Sequence, residues 1–177
     1  LEFRRVLFRS FLLVLLGAFP AAAGEMRKVM VGGVERSYYL HVPAKVTGAA
    51  PLVIWLHGKT TDGGQNDVQS RGWEHVANQS GFIIAGPDAA ALWPDRPMTG
   101  QNFRAWNQGG IQIESNISKS DDIGFIAALI DDIARTTQID RRRVYAGGFS
   151  SGGGLAHRLG MELSTKIAAI SASAAGL

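Results

Sequence analysis

RVYAGGFSSGGGLAHRLG, residues 143–160, decides the fold. Arg143 to Gly147 is a β-branched and aromatic run that reads as a strand, a glycine-crowded turn with two serines follows, and Ser151 to Met161 reads as a helix. Gly148-Phe149-Ser150-Ser151-Gly152 satisfies G-x-S-x-G with Ser150 at the centre, and no frame puts Ser151 there. In a chain with 22 glycines the pentapeptide alone is a weak signal. The strand before it and the helix after it supply the context the motif requires. A serine on so sharp a turn sits in strained backbone, which only flanking residues without side-chain bulk permit; Gly148 and Gly152 clear that space. The helix start then aims free backbone N–H groups at the place where an oxyanion would form, that of Ser151 best of all. Ser150 is therefore the expected nucleophile; the alternative is a glycine-rich turn that merely packs closely on a helix. A phosphate loop is excluded, because GGFSSGGG has no Lys and fits no G-x-G-x-x-G frame.

Outward from this stretch, strands and helices alternate. Met26 to Val31 and Val34 to Val42 are extended runs separated by Gly32-Gly33, a two-residue hairpin signal. PLVIWLH (51–57) is a continuous apolar run of strand length, as for a strand buried on both faces. Trp73 to Gln79 reads as a helix ending at Gly81, and FIIA (82–85) as a strand stopped by Gly86-Pro87. Residues 89–120 show no sustained period and read as a long functional loop. Asp121-Asp122 opens a helix in which Ile123, Ile126, Ala127, Ile130, Ile133 and Ala134 recur at helical spacing. Ile167 to Ala172 is a last strand. The pattern predicts an α/β fold with a mainly parallel sheet behind an opening antiparallel hairpin.

The second half of an oxyanion hole should follow an earlier strand. The loop after 51–57, LHGKTTDGG (56–64), is the right kind of element: Gly58 lets the backbone turn, and the Lys59 N–H is the candidate donor. His57 is expected to order this loop by hydrogen bonding rather than act as the base, because in this architecture the base follows the nucleophile in the chain. His157 lies seven residues past Ser150 on the same helix, about 10 Å along it. His41 and His75 precede the motif as a strand and a helix residue. None of the four is a good base, and Asp121, Asp122, Asp131 and Asp132, all upstream on a helix, are not assigned the acid role.

FLLVLLGAF (11–19), followed by Pro20 and Ala21-Ala22-Ala23-Gly24, has the form of a signal-peptide apolar core and cleavage site, so export is expected and stable membrane insertion after cleavage is not. It is too short to span a bilayer. Residues 1–10 carry basic residues but no initiator Met, and VLFRS resembles the translation of a sequencing-adapter end; they are read as an artefact. Taking away residues 1–23 removes Arg4, Arg5, Arg9 and Glu2, which lowers the formal charge from +3 to +1. The basic balance thus belongs mostly to the leader, and no nucleic-acid partner follows from it. The chain has no Cys, so no disulfide staples it. Residues 24–177 suffice for one domain with a sizeable core.

Taken together, PLVIWLHG (51–58), PDAAALW (87–93), AWNQGG (105–110), DDIGFIAALIDDIA (121–134) and IDRRRVYAGGFSSGGGLAHRL (139–159) resemble the N-terminal half of the secreted esterases that include polyhydroxybutyrate depolymerase-like proteins, close to feruloyl and acetylxylan esterases, in the α/β-hydrolase superfamily. The resemblance implies cofactor-free, metal-free hydrolysis of a carboxylic ester, from a substrate that can be polymeric, through an acyl-enzyme on Ser150. Ser151 and the Lys59 region would supply oxyanion donors, with His57 and Gly58 beside the substrate. Trp106 and Asn107 are candidates for the pocket wall or, equally, anchors of a long loop. Relatives often carry cysteines after this Trp, and here there are none. They also place their acid and histidine after later strands, so residues 24–177 read as an incomplete α/β-hydrolase domain, truncated on its C-terminal side, that leaves an apolar edge at 167–172 uncovered. Two other readings stay open: a peptidase or acyltransferase built on the same elbow, and a secreted, catalytically dead relative that binds polymer.

Overall fold

The computed structural model describes residues 24–60, 62–93, 95–97, 102–109 and 119–176. The leader and artefact readings fall on residues 1–23 and lie outside them. Six strands and four helices follow in the order β1 (Glu25–Val31), β2 (Val34–His41), β3 (Ala50–Leu56), α1 (Gly64–Ser70), α2 (Trp73–Ser80), β4 (Ile83–Pro87), α3 (Asp122–Thr136), β5 (Ile139–Phe149), α4 (Ser151–Glu162) and β6 (Ala169–Ser173). They build one sheet in the order β1-β2-β4-β3-β5-β6. β1 and β2 form the expected hairpin, with Val31 opposite Val34 across Gly32 and Gly33, whose positive φ values of 56° and 83° suit a two-residue turn. β2 runs antiparallel to β4, and the β4-β3-β5-β6 half is parallel.

The sheet is covered on both faces, which gives two cores. On one face Leu52, Ile54 and Leu56 of β3 pack with Tyr38, Leu40 and Val144 against α3 and α4. On the other, Tyr39, Val68, Ala77 and Ile84 form a smaller cluster under α1 and α2, with Trp55 and Trp73 partly buried beside it. β3 is accordingly not buried on both faces as its unbroken apolar run suggested; its burial alternates, because α1 and α2 cover their side less completely.

Other elements depart from the sequence reading in physically clear ways. α1 has only Gly64 and Val68 buried in seven residues, so it carries no apolar period for sequence to reveal. The core stripe of α3 is Phe125, Ile126, Leu129, Ile130 and Ile133, rotated from the expected face: Ile123, Ala127 and Ala134 are only partly buried. Its N-cap is Asp121, whose carboxylate accepts the Gly124 N–H at 2.8 Å. β5 extends well before Arg143: Ile139 pairs with Ala50 of β3, with a shift of register before Leu52 meets Val144. Residues of the long loop that are described contain no helix or strand, but Arg104 bridges both Thr60 and Ala91. β6 lies at the sheet's edge and is mostly exposed. Among the described residues no helix is long and apolar enough to cross a membrane.

Candidate active site

The carboxyl ends of the central parallel strands meet at the β5–α4 turn. Ser150 occupies it with φ 54° and ψ −119°, one of two non-glycine residues at positive φ among the described residues. An L-residue reaches this conformation only when its surroundings force it. They do so here: the Ser150 N–H is drawn to the Ser173 carbonyl at 2.8 Å, while its own carbonyl accepts the Gly154 N–H at 3.0 Å and starts α4. Gly148 and Gly152 allow the tight crossing. A Cβ on Gly148 would overlap the Gly152 backbone, and one on Gly152 would overlap the carbonyls of Leu56 and His57.

That second overlap shows what the helix start touches. α4 sits directly on the end of β3, so the loop leaving β3 is brought beside the serine; a Cβ on Gly58 would lie 3.5 Å from the Ser150 Cβ. Ser151 is the first residue of α4, where backbone N–H groups lack intrahelical partners. Lys59, next to Gly58, is exposed and holds its ammonium 4.8 Å from the centre of the Phe103 ring. Ser150, Ser151 and Gly58 are thus gathered around one point, with Lys59 next to Gly58 in the chain.

His57 and Trp106 are gathered too, but beneath that point. Both are fully buried. The His57 ring accepts the Ala89 N–H at Nε2 (3.1 Å), so the proton sits on Nδ1 and is donated to the Gly58 carbonyl at 2.6 Å. Burial lowers its pKa, with the Gly58 bond opposing more weakly. Trp106 donates its indole N–H to the His57 carbonyl (2.8 Å) and its backbone N–H to Ser151 Oγ (3.3 Å). Neither ring reaches solvent. Of the two readings of Trp106, loop anchor is the one its burial matches. Asn107 is half-buried and clamped: its N–H goes to Asp122 (2.6 Å), its Nδ2 to the Ser120 carbonyl (3.1 Å), and its carbonyl accepts from Arg158 (2.6 Å).

The remaining histidines lie apart from this arrangement: His41 is bonded to Asn78 at 2.9 Å, His75 is exposed on α2, and His157 lies two turns into α4. Among the described residues no histidine hydrogen-bonds Ser150. Sequence reading missed Arg36 and treated Asp122 only as part of a helix start and as an acid not assigned to catalysis. Signals for both existed. In VERSYYLH, Arg36 falls on the same alternating face as Tyr38 and Leu40, and a charge there must be paired. Asp122 follows an Asp that already caps the helix.

The buried His57 makes folding pH-dependent. The unfolded ring titrates near about 6.5, the folded ring lower. Between these values only the unfolded chain takes up the proton, so stability is level above about pH 6.5 and falls as pH drops below it. Thermal melts should show Tm declining from about pH 6.5 toward 5, with the slope reduced in His57→Asn. An identical slope in the variant would refute this origin.

A mainly parallel sheet with helices on both faces, an antiparallel opening hairpin and a serine on the strained β5–α4 turn define an α/β-hydrolase-type fold. Within it the chain belongs to the family described as Esterase PHB depolymerase, whose pattern matches residues 36–176. It is 32% identical over 141 residues to feruloyl esterase B of Piromyces equi, covering 78% of this chain and 24% of that protein. It is 26% identical over 137 residues to the bifunctional acetylxylan esterase/xylanase of Neocallimastix patriciarum, covering 77% of this chain and 17% of that protein. Among solved structures, an acetyl xylan esterase from Aspergillus awamori superposes with a TM-score of 0.62 at 18% identity, over 85% of this chain and 53% of that one. The chain therefore spans about half the length of that structure and a quarter or less of the two sequence relatives.

Proposed function

We infer that these residues carry the nucleophile half of a secreted serine esterase. It cleaves carboxylic esters of a polyhydroxyalkanoate-type polyester, or feruloyl or acetyl esters of a polysaccharide, through an acyl-enzyme on Ser150. The observation that carries this reading is the serine's positive φ on a strand-to-helix turn, with Gly58 packed against it. In the proposed reaction Ser150 Oγ attacks the ester carbonyl, its proton passes to a base, and the Ser151 and Lys59 N–H groups hold the oxyanion; collapse of this intermediate breaks the ester C–O bond, and the alcohol leaves with that proton, so the acyl group stays on Ser150. Water then releases the acid and restores the serine. His57 and Trp106 support the oxyanion loop from below, and Asn107 fixes the strap that carries Trp106.

The placement of the four histidines supports a base and acid supplied by sequence outside the described residues. Membership in an esterase family, with feruloyl and acetylxylan esterases among the relatives, supports the substrate class. The apolar segment at 11–19 supports export. The test is a fluorophosphonate probe applied to the complete gene product, with the adduct located by peptide mass spectrometry. An adduct on Ser150 is expected. An adduct on another residue, or none in a protein that hydrolyses p-nitrophenyl acetate, overturns the assignment.

A further inference from the structure

Five separate stretches of chain are joined in one closed circuit of hydrogen bonds around the site. From β2, Arg36 Nη2 donates to the Asp88 carbonyl at 3.0 Å. The next residue, Ala89, donates its N–H to His57 Nε2 at 3.1 Å. The His57 carbonyl accepts the Trp106 indole N–H at 2.8 Å. The following residue, Asn107, donates its N–H to Asp122 Oδ2 at 2.6 Å. Asp122 Oδ1 accepts from Arg36 Nη2 at 2.9 Å, which closes the ring. A branch runs from it to α4: the Trp106 N–H reaches Ser151 Oγ at 3.3 Å. The loop after β3 and the first residue of α4, the two elements that flank Ser150, both hang from this ring.

We propose that the Arg36–Asp122 ion pair is a positioning device for ester hydrolysis: by closing the circuit it fixes the loop after β3 against the start of α4, so that their backbone N–H groups converge on one oxyanion. The proposal rests on the reading of Ser150 as nucleophile. Stability alone does not account for the pair. Both side chains are buried, Asp122 completely, and a buried ion pair is often no more stabilising than apolar residues of similar volume. Nor does α3 need a second acidic residue at its start, because Asp121 already caps it. What the pair supplies is direction. Asp122 accepts from Arg36, Asn107 and the Ser120 hydroxyl, the last at 2.9 Å, and the Arg36 guanidinium carbon lies over the Phe125 ring, 4.1 Å from its centre. Apolar replacements would fill the space and leave the strap at Asn107 free to shift. Misplacement by about 1 Å can cost about a hundredfold in rate.

The test separates stability from rate in the complete gene product. The double variant Arg36→Met/Asp122→Leu removes both buried charges together. It should keep its Tm within a few degrees and lose between about tenfold and a hundredfold in kcat for p-nitrophenyl acetate, with KM changed by less than about threefold. A folded double variant with wild-type kcat overturns the proposal. Should that variant fail to fold, Asp122→Asn serves: it keeps the volume and an acceptor for Arg36 but turns an amide N–H toward the Asn107 N–H. The same loss in kcat is expected, and wild-type kcat there overturns the proposal equally. Asp132→Asn, on the same helix but bonded to Tyr38 outside the circuit, should keep its kcat; equal slowing there would mean general disturbance and also overturn it. Ser150→Ala distinguishes the two readings. If it keeps activity, the nucleophile assignment fails by itself; if it is inactive while the pair variants stay fast, only the circuit fails.

Discussion

Ser150→Ala should lower kcat/KM for p-nitrophenyl acetate by about 10⁴ to 10⁶, the range seen when a nucleophile is removed from an intact triad. Ser151→Ala, one residue on, should leave most of the rate. The two hydroxyls look equivalent in the motif and differ completely in their surroundings. Ser150 sits at the apex of a turn that its Cα can occupy only at positive φ, half-exposed beside Gly58. Ser151 is buried, with its Oγ already accepting the Trp106 N–H. Deleting that acceptor leaves a buried N–H without its partner and costs about 1–3 kcal/mol of stability. The backbone N–H of Ser151, the part with a proposed role, survives the substitution. Steady-state kinetics and melts on both variants decide the matter. A Ser150→Ala protein that retains more than about one hundredth of the rate, or a Ser151→Ala protein that is equally dead but fully folded, would mean that the nucleophile has been misassigned.

Elements whose local pattern and tertiary role coincide were legible in the sequence. Gly32-Gly33 between two alternating runs reads as a hairpin, and a glycine-rich turn between a β-branched strand and a helix reads as a tight strand-to-helix turn; both are found. α1 was invisible because one buried valine makes no period. The α3 stripe was misplaced by about one residue because isoleucine and alanine occur on several of its faces; partners in the sheet, not apolarity, choose between them. The closeness of Ser150, Ser151 and Gly58 in space was an expectation from motif chemistry that the fold matches. The depth of His57 and Trp106 could not, since burial depends on segments distant in sequence closing over them. The Arg36–Asp122 pair joins residues 86 apart, and only the fold brings them together. Its trace in the sequence was a charge out of phase with its strand.

Gly152→Ala should destabilise the protein by more than about 4 kcal/mol, an exceptional effect for one methyl group. The cause is not backbone conformation. Gly152 lies in the first turn of α4, and alanine is ordinarily the better helix residue by about 1 kcal/mol. The cause is what lies opposite. An added Cβ would come within 2.6 Å of the His57 carbonyl oxygen and nearer still to that of Leu56, closer than real Cβ atoms approach anything. Those atoms are the backbone at the end of β3, which pairs through Leu56 with Gly148 of β5. To admit the methyl, either α4 must lift from the sheet or the β3–β5 ladder must part. Lifting α4 also strips Leu155 and Leu159 from the core and moves Ser151 from Trp106. Gly160→Ala is the matched control on the same helix, because there the new Cβ would meet only the Ile170 side chain, 3.3 Å away on an exposed strand that can yield. Its effect should stay within about 1 kcal/mol of zero, with helix propensity and the tight contact opposing each other. Urea denaturation of both variants reads the difference directly, as a large fall in midpoint for Gly152→Ala and a small change for Gly160→Ala at similar slope. If Gly152→Ala melts like the wild type, the helix start does not rest on the β3 carbonyls. The oxyanion loop and the nucleophile turn would then not be held together by that contact.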